Sequence, residues 1–356
     1  MSFLPTIEID ASALRHNLGV VRKHAPGSRV MAVIKADGYG HGMLEVAHAL
    51  EDADALAVAR VDEGVLLRQH QPSKRLLVLA GAHDRAEMEA AAQAGLEVVI
   101  HHAEQIEALS RAKLARPLGC WIKLDTGMHR LGFPPYEFRL RLEQLRELPA
   151  VAEVAGVLTH LANADDLGDG YTRTQLARFN EATGESLLPA SVANSAGILG
   201  WPDTHAHWVR PGIMLYGASP FATPVQELEP VMSFRSRLIA VKEVAKGSPV
   251  GYGGEWVAPE EMRIGVAAAG YGDGYPREVP SGTPVLVRGQ RVPRIGRVSM
   301  DTLILDLREL PHARVGDEVL LWGPGLPAEE IAAAANTIPY TLFCGITARV
   351  VRGYRE

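Results

Sequence analysis

The residues with the most chemical capacity stand directly after short apolar runs. Val30–Ile34 leads into Lys35. Cys120–Leu124 carries Lys123 and is followed by Asp125 and then Arg130. Val154–Leu158 leads to Thr159–His160, Ala190–Ala193 to Asn194–Ser195, and Trp208–Val209 to Arg210, Pro211, Gly212 and Ile213. Amines, an imidazole, guanidinium groups and small residues with free backbone N–H groups thus recur at one place in a repeated pattern. Each alone has a plainer reading. A Lys after a strand is usually a solvated end, His160 a hydrogen-bonded rim histidine, Asn194–Ser195 a helix N-cap, and Arg210 a structural ion pair. Together, a helix start at Asn194–Ser195 and the backbone at Gly212–Ile213 offer the N–H groups that hold a phosphate. A lysine amine opposite them suggests a Schiff base with a phosphorylated aldehyde, of which pyridoxal 5′-phosphate is the commonest.

What must position these groups is an alternation of strands and helices. Apolar runs at Val30–Ile34, Ala55–Ala59, Leu76–Ala80, Leu96–Ile100, Cys120–Leu124, Val154–Leu158, Ala190–Ala193 and Trp208–Val209 lack strict polar alternation, as parallel strands buried on both faces do. Between them, stretches such as Arg85–Ala94, Ala103–Lys113, Tyr136–Leu148 and Tyr171–Ala182 place apolar residues at helical spacing. Eight such units in about 200 residues predict a closed (β/α)8 TIM barrel, whose chemistry sits at the C-terminal strand ends. An open dinucleotide-binding sheet would want Gly-x-Gly-x-x-Gly after its first strand, and no glycine cluster here has that spacing. After about Pro230 the texture changes to short β-branched segments between Gly/Pro turns, with one helical stretch at Ala328–Ala335. The expected division is a barrel over residues 1–228 and a C-terminal all-β domain over 229–356.

The bulk numbers exclude several classes. A chain of 356 residues with 47% hydrophobic and 22% charged residues has material for two domains. A net charge of −6 without a basic arm argues against nucleic acid as a partner. The apolar runs are strand-sized, short of the ~20 residues a membrane span needs. Met1–Asp10 has neither a positive region nor an apolar core, so export is not expected. Two distant cysteines, Cys120 and Cys344, make no disulfide framework and no CxxC site, which points to a cytoplasmic address. Metal readings fail too: His41 and His48 lack the His-Glu-x-x-His pattern, and Asp165–Gly170 puts leucine where a calcium loop needs oxygen.

Separated motifs, in order, carry a family resemblance. Ala32–Gly42 (AVIKADGYGHG) resembles the cofactor-attachment motif of bacterial alanine racemases. Leu124–Arg130 (LDTGMHR), Val209–Ile213 (VRPGI), Gly251–Gly253 (GYG) with Gly270–Tyr275 (GYGDGY), and Arg297–Asp301 (RVSMD) extend the similarity over almost the whole chain. The resemblance implies an isomerase that interconverts L- and D-alanine, works as a homodimer and supplies D-alanine for peptidoglycan precursors. It implies that Lys35 holds pyridoxal 5′-phosphate and serves as one base, with Tyr252 of the partner subunit as the other. Tyr39, Asn194, Ser195, Gly212, Ile213 and Tyr340 would hold the cofactor, chiefly its phosphate, and Arg210 would face the pyridine nitrogen. Arg130 would bond the phenolic oxygen and the substrate carboxylate, with Met300 and Asp301 of the partner subunit nearby. His160 would lie between Tyr252 and Arg210, and Tyr271 and Arg277 would line the entrance. In some relatives the lysine matching Lys123 is carbamylated, which would suit its place beside Arg130, since a free ammonium there would be repelled.

Two fixed bases suit the reaction because the α-proton leaves one face and returns to the other. Gly38, Gly251 and Ser299 depart from the common Ala, Ser and Cys of the family, and the last two edit the pocket wall without removing a proton-transfer group. Alternatives within the same cofactor chemistry are a serine or broad-specificity racemase and an amino-acid decarboxylase. The decarboxylases bring a partner cysteine to the substrate, and neither cysteine here lies in a matching motif. A cofactor carrier resembling the barrel alone would need no second base.

Overall fold

The computed structural model describes residues 3–184 and 186–356, so the first two residues of Met1–Asp10 lie outside the described residues. It divides into two compact units. One, residues 15–215 with 219–227, is the predicted barrel.

Chain order begins with β1 (Thr6–Asp10), followed by the eight barrel strands β2 (Arg29–Val33), β3 (Ala55–Val58), β4 (Arg75–Val78), β5 (Glu97–Ile100), β6 (Leu118–Lys123), β7 (Val151–Leu158), β8 (Ala190–Ser191) and β9 (Trp208–Val209). These eight pair in parallel and in order, and β9 closes the circuit on β2. Both faces are covered: Ala55–Val58 and residues 120–124 are completely or almost completely buried, which explains their unbroken apolar sequence. The expected helix Arg85–Ala94 forms with those limits, capped by Asp84, whose carboxylate accepts the Glu87 N–H at 2.8 Å. Tyr136–Leu148 is shorter than expected, a 3-10 turn at Pro135–Glu137 running into a helix over Phe138–Arg146.

The other unit holds β10 (Met232–Val244), β11 (Pro249–Val250), β12 (Trp256–Val257), β13 (Met262–Ala267), β14 (Pro284–Val287), β15 (Gln290–Ile295), β16 (Leu303–Asp306), β17 (Glu318–Trp322) and β18 (Val351–Arg355). Strands β10, β13, β16, β15, β14 and β17 pair antiparallel in that order, and β17 returns to β10. The long β10 is shared by both ends of this circuit. β1 also belongs here, pairing with β10 and β18. A boundary at residue 228 groups the N-terminus with the barrel, and the structure corrects that. The local pattern explains the difference: in Thr6–Asp10 only Ile7 and Ile9 are buried, the period-two signature of a strand with one covered face. The sequence over Thr347–Val351 predicts a strand, but that strand begins only at Val351, and Pro339–Cys344 is an additional helix with proline at its start.

Among the described residues no helix is long and apolar enough to cross a membrane. None of their His, Cys, Asp and Glu side chains gather in threes that could hold a metal ion.

Candidate active site

The barrel unit brings its predicted groups to one rim. Lys35 follows β2 and opens a turn that winds the wrong way for L-residues. Ala36, Asp37, Gly38 and Tyr39 have φ of 53°, 54°, 61° and 54°. Three of them are not glycine, at a cost of roughly 1–2 kcal/mol each. Such strain survives only where surrounding bonds over-determine it. Here Glu63 accepts the Ala36 N–H at 2.8 Å while its other oxygen accepts those of Ala59 and Arg60, and Asp37 accepts the Met43 N–H at 2.9 Å. Sequence reasoning misses Glu63. Its one signal is its position three residues after Arg60, from which it reaches back to the helix start.

The turn delivers Tyr39 to the phosphate-type cradle. Ser195 Oγ accepts the N–H groups of Gly212 (2.9 Å) and Met214 (3.3 Å). A Cβ on Gly212 would stand 2.6 Å from the Tyr39 hydroxyl, so that approach requires glycine. Asn194 plays the plain part: it caps the helix Ser195–Gly200, accepting the Gly197 N–H at 2.9 Å. Ile213 is buried at the start of the next 3-10 turn. Hydroxyls of Tyr39 and Ser195 with backbone N–H donors fit a phosphate ester, and the cradle stands at the rim that carries Lys35.

Arg210 is buried without a carboxylate. Its terminal nitrogens donate to Ser191 Oγ (2.5 Å), Thr159 O (2.5 Å) and Val192 O (3.3 Å), leaving Nε without a hydrogen-bond partner among the described residues. The ion-pair reading is thereby corrected. Burial pushes its pKa down to about 10, so it remains a cation at neutral pH. Lys123, also buried, is pushed down to about 8 by desolvation first and then by Arg210 and Arg130, with Asp125 acting in the opposite direction. Neither Lys123 Nζ nor the Arg130 guanidinium has a hydrogen-bond partner among the described residues. The loop bearing Arg130 is set by Asp125, which accepts the N–H groups of Gly127 and His129, and by Tyr171, which donates to Gly127 O at 2.8 Å. His160 is held well below the usual imidazole range by burial, then by Arg210, Lys123, Arg130 and Lys35. It is neutral at pH 7, and Gln175 fixes its backbone by donating to its carbonyl at 3.1 Å. Four cations around a neutral imidazole make a site for anions.

The β-rich unit presents its candidates differently. Tyr252 stands on the 3-10 turn Tyr252–Gly254 and is 68% exposed. Beneath the turn lies an apolar cluster of Val250, Ala258, Met262, Ile264 and Ile295, and Arg297 pairs with Glu255 beside it. Tyr271, Arg277, Met300 and Asp301 are exposed, and Tyr340 is half-buried on the helix Pro339–Cys344. Backbone bonds from Tyr271 N to Ser299 O (3.1 Å) and Gly272 N to Met300 O (2.8 Å) join the Tyr271 and Met300–Asp301 turns.

Comparison with known proteins accounts for both units. Residues 9–220 match the alanine racemase N-terminal domain and residues 231–354 its C-terminal domain. The chain is 52% identical to the alanine racemase of Nitrosococcus oceani, over 98% of each chain. It superposes on the biosynthetic alanine racemase of Pseudomonas aeruginosa with a TM-score of 0.96 and 45% identity, covering all of both chains. The Bartonella henselae alanine racemase, solved with covalently bound pyridoxal phosphate, gives a TM-score of 0.89 at 29% identity over 99% of each chain. This chain belongs to the alanine racemase family.

Proposed function

We propose that the protein interconverts L- and D-alanine with pyridoxal 5′-phosphate held on Lys35, as a homodimer in which Tyr252 of the partner subunit completes each site. The observation that carries this reading is the cationic rim of Lys35, Lys123, Arg130 and Arg210 around neutral His160, set beside the Tyr39–Ser195–Gly212 cradle.

Pyridoxal phosphate, when bound, supplies the electron-withdrawing ring that makes the α-proton of an amino acid removable. The residues of this chain do the rest. Tyr39, Ser195, Gly212 and Ile213 would hold the phosphate, with Tyr340 assigned to the same role. Lys35 Nζ takes or returns the α-proton on one face, and Tyr252 Oη of the partner subunit serves the other. Arg210 would turn Nε–H, a donor not taken up by Ser191, Thr159 or Val192, toward the pyridine nitrogen. With a pKa of about 10 it holds its proton too firmly to pass it to the ring, which would leave that nitrogen unprotonated and the ring a shallower electron sink. Protonation away from the α-carbon, and with it transamination, is disfavoured. His160, being neutral, can accept or relay a hydrogen bond between Arg210 and Tyr252 without adding a fifth positive charge.

Lys123 takes a carbamate in this reading. An amine pushed down to about 8 is partly neutral at physiological pH and can add through its lone pair to carbon dioxide, losing an N–H proton to solvent. The product is an anion beside Arg130 where a free ammonium would be a like charge. Arg130, so oriented, binds the substrate carboxylate together with the backbone at Met300 and Asp301 of the partner subunit, while Tyr271 and Arg277 line the approach. In the dimer the exposed Tyr252 would face the partner subunit's site instead of solvent. The proposed location is the cytoplasm.

The test is incubation with L-alanine, followed by chiral chromatography, with Lys35→Ala as control. Mirror-image molecules have equal free energy in water, so the mixture must end at equal amounts from either side. Turnover of serine in place of alanine, or release of carbon dioxide, would redirect the assignment to the alternative chemistries.

A further inference from the structure

We infer that Arg349 is the positioning residue that locks the Tyr271 turn to the Met300–Asp301 turn and cancels the acidic charge beside the substrate's carboxylate. The inference rests on the placement of Met300 and Asp301 at the substrate proposed above.

Two carboxylates converge on one guanidinium. Nε of Arg349 lies 2.8 Å from Oδ1 of Asp273, and a terminal nitrogen donates to Oδ1 of Asp301 at 2.6 Å. Asp273 is completely buried, and its other oxygen accepts the Gly270 N–H at 2.9 Å. Asp301 is exposed. Arg349 therefore reaches from a buried anion that helps form the Tyr271 turn to a surface anion on the neighbouring turn. The segment before it is tied to the same place, because Thr347 Oγ1 donates to Gly272 O at 2.8 Å. This explains why Thr347–Val350 does not enter a strand despite its composition.

The electrostatic consequence is specific. An amino-acid carboxylate arriving at the Met300–Asp301 backbone meets the Asp301 side chain, a like charge. Exposed ion pairs contribute little to stability, but here the pair removes a repulsion that would act on the substrate. Without Arg349, Asp273 would also be a buried anion without a cation, and the turn carrying Tyr271 would lose its anchor.

The experiment is steady-state kinetics with L-alanine for Arg349→Ala, Arg349→Lys, Asp301→Asn and the double variant Arg349→Ala/Asp301→Asn, with cofactor absorbance and melting followed in parallel. Arg349→Ala is expected to raise KM about tenfold, the scale of one uncompensated charge near a protein surface, with kcat within about threefold. Arg349→Lys recovers part of the loss, and adding Asp301→Asn to Arg349→Ala lowers KM again. A fall in kcat at unchanged KM, or no KM recovery in the double variant, overturns the assignment. Should Arg349→Ala fail to fold, Arg349→Lys and Asp301→Asn carry the same test through the salt dependence of KM. A KM that responds to Asp301→Asn but not to position 349 removes only Arg349, whereas a KM indifferent to Arg349→Ala, Arg349→Lys and Asp301→Asn alike removes the placement of the Asp301 charge beside the substrate.

Discussion

The two units hold chemical groups by opposite means. In the barrel, Lys35, Lys123, His160 and Arg210 stand at strand ends, where burial lowers the pKa of the last three and neighbouring cations lower those of Lys123 and His160 further. A left-handed turn beside Lys35 adds backbone strain. In the β-rich unit, Tyr252, Tyr271, Met300 and Asp301 sit on exposed turns braced by backbone bonds and ion pairs. Buried rims prepare electrostatics before any ligand arrives. Exposed turns only present a group, and what it does depends on what meets it.

If that contrast is right, loss of a barrel group should disturb cofactor retention, and loss of a turn group should spare it. Lys35→Ala should reduce racemisation by about a thousandfold or more and abolish the visible cofactor absorbance, since base and tether are lost together. Tyr252→Phe should cost about a hundred- to ten-thousandfold in kcat, the range for a positioned acid–base group, with absorbance retained. If it bleached the protein as well, the contrast would break.

Arg210→Glu should slow racemisation by roughly ten- to a hundredfold, as loss of one preorganised electrostatic donor does, and should yield detectable pyruvate. Absence of pyruvate would remove the argument about the pyridine nitrogen. Lys123 sharpens the picture through pH. Its folded pKa of about 8 lies below the ordinary 10.5, so the unfolded chain binds the extra proton between those values. The destabilisation is therefore complete below about pH 8 and relieved as pH rises toward 10.5. Melting in carbon-dioxide-free buffer should show that rise, Lys123→Met should flatten it, and bicarbonate near neutral pH should raise the melting temperature of the wild type alone. The smallest effect belongs to the turn. Ala36→Gly should stabilise by about 0.5–1 kcal/mol, the relief of one left-handed residue less the added freedom of the unfolded chain.

Much of the barrel is legible in the sequence because parallel strands buried on both faces leave unbroken apolar runs, and because a barrel directs its chemistry to strand ends. Even two-residue β8 and β9 are marked by the polar and glycine residues just beyond them, Asn194–Ser195 and Arg210–Gly212. The left-handed turn is not legible, since the carboxylates of Glu63 and Asp37 that brace it act together with local backbone bonds no sequence motif announces. Nor is the commitment of Arg210 to carbonyls, because a sequence does not show which acceptors surround a buried guanidinium. For β1 the alternation is readable, but its position directly before the barrel points the other way, and the alternation proves the better guide. Thr347 and Arg349 carry no motif at all, and their meaning comes from the buried Asp273 they meet.

The central claim is that each site joins Lys35 of one copy to Tyr252 of another. Lys35→Ala and Tyr252→Phe proteins, each inactive, should be mixed and allowed to exchange subunits, with exchange verified by mass. Statistical mixing makes half the dimers hybrid, each with one intact site of two, so activity should recover to about a quarter of wild type. Verified exchange without recovery would contradict the shared site and place both bases within one chain.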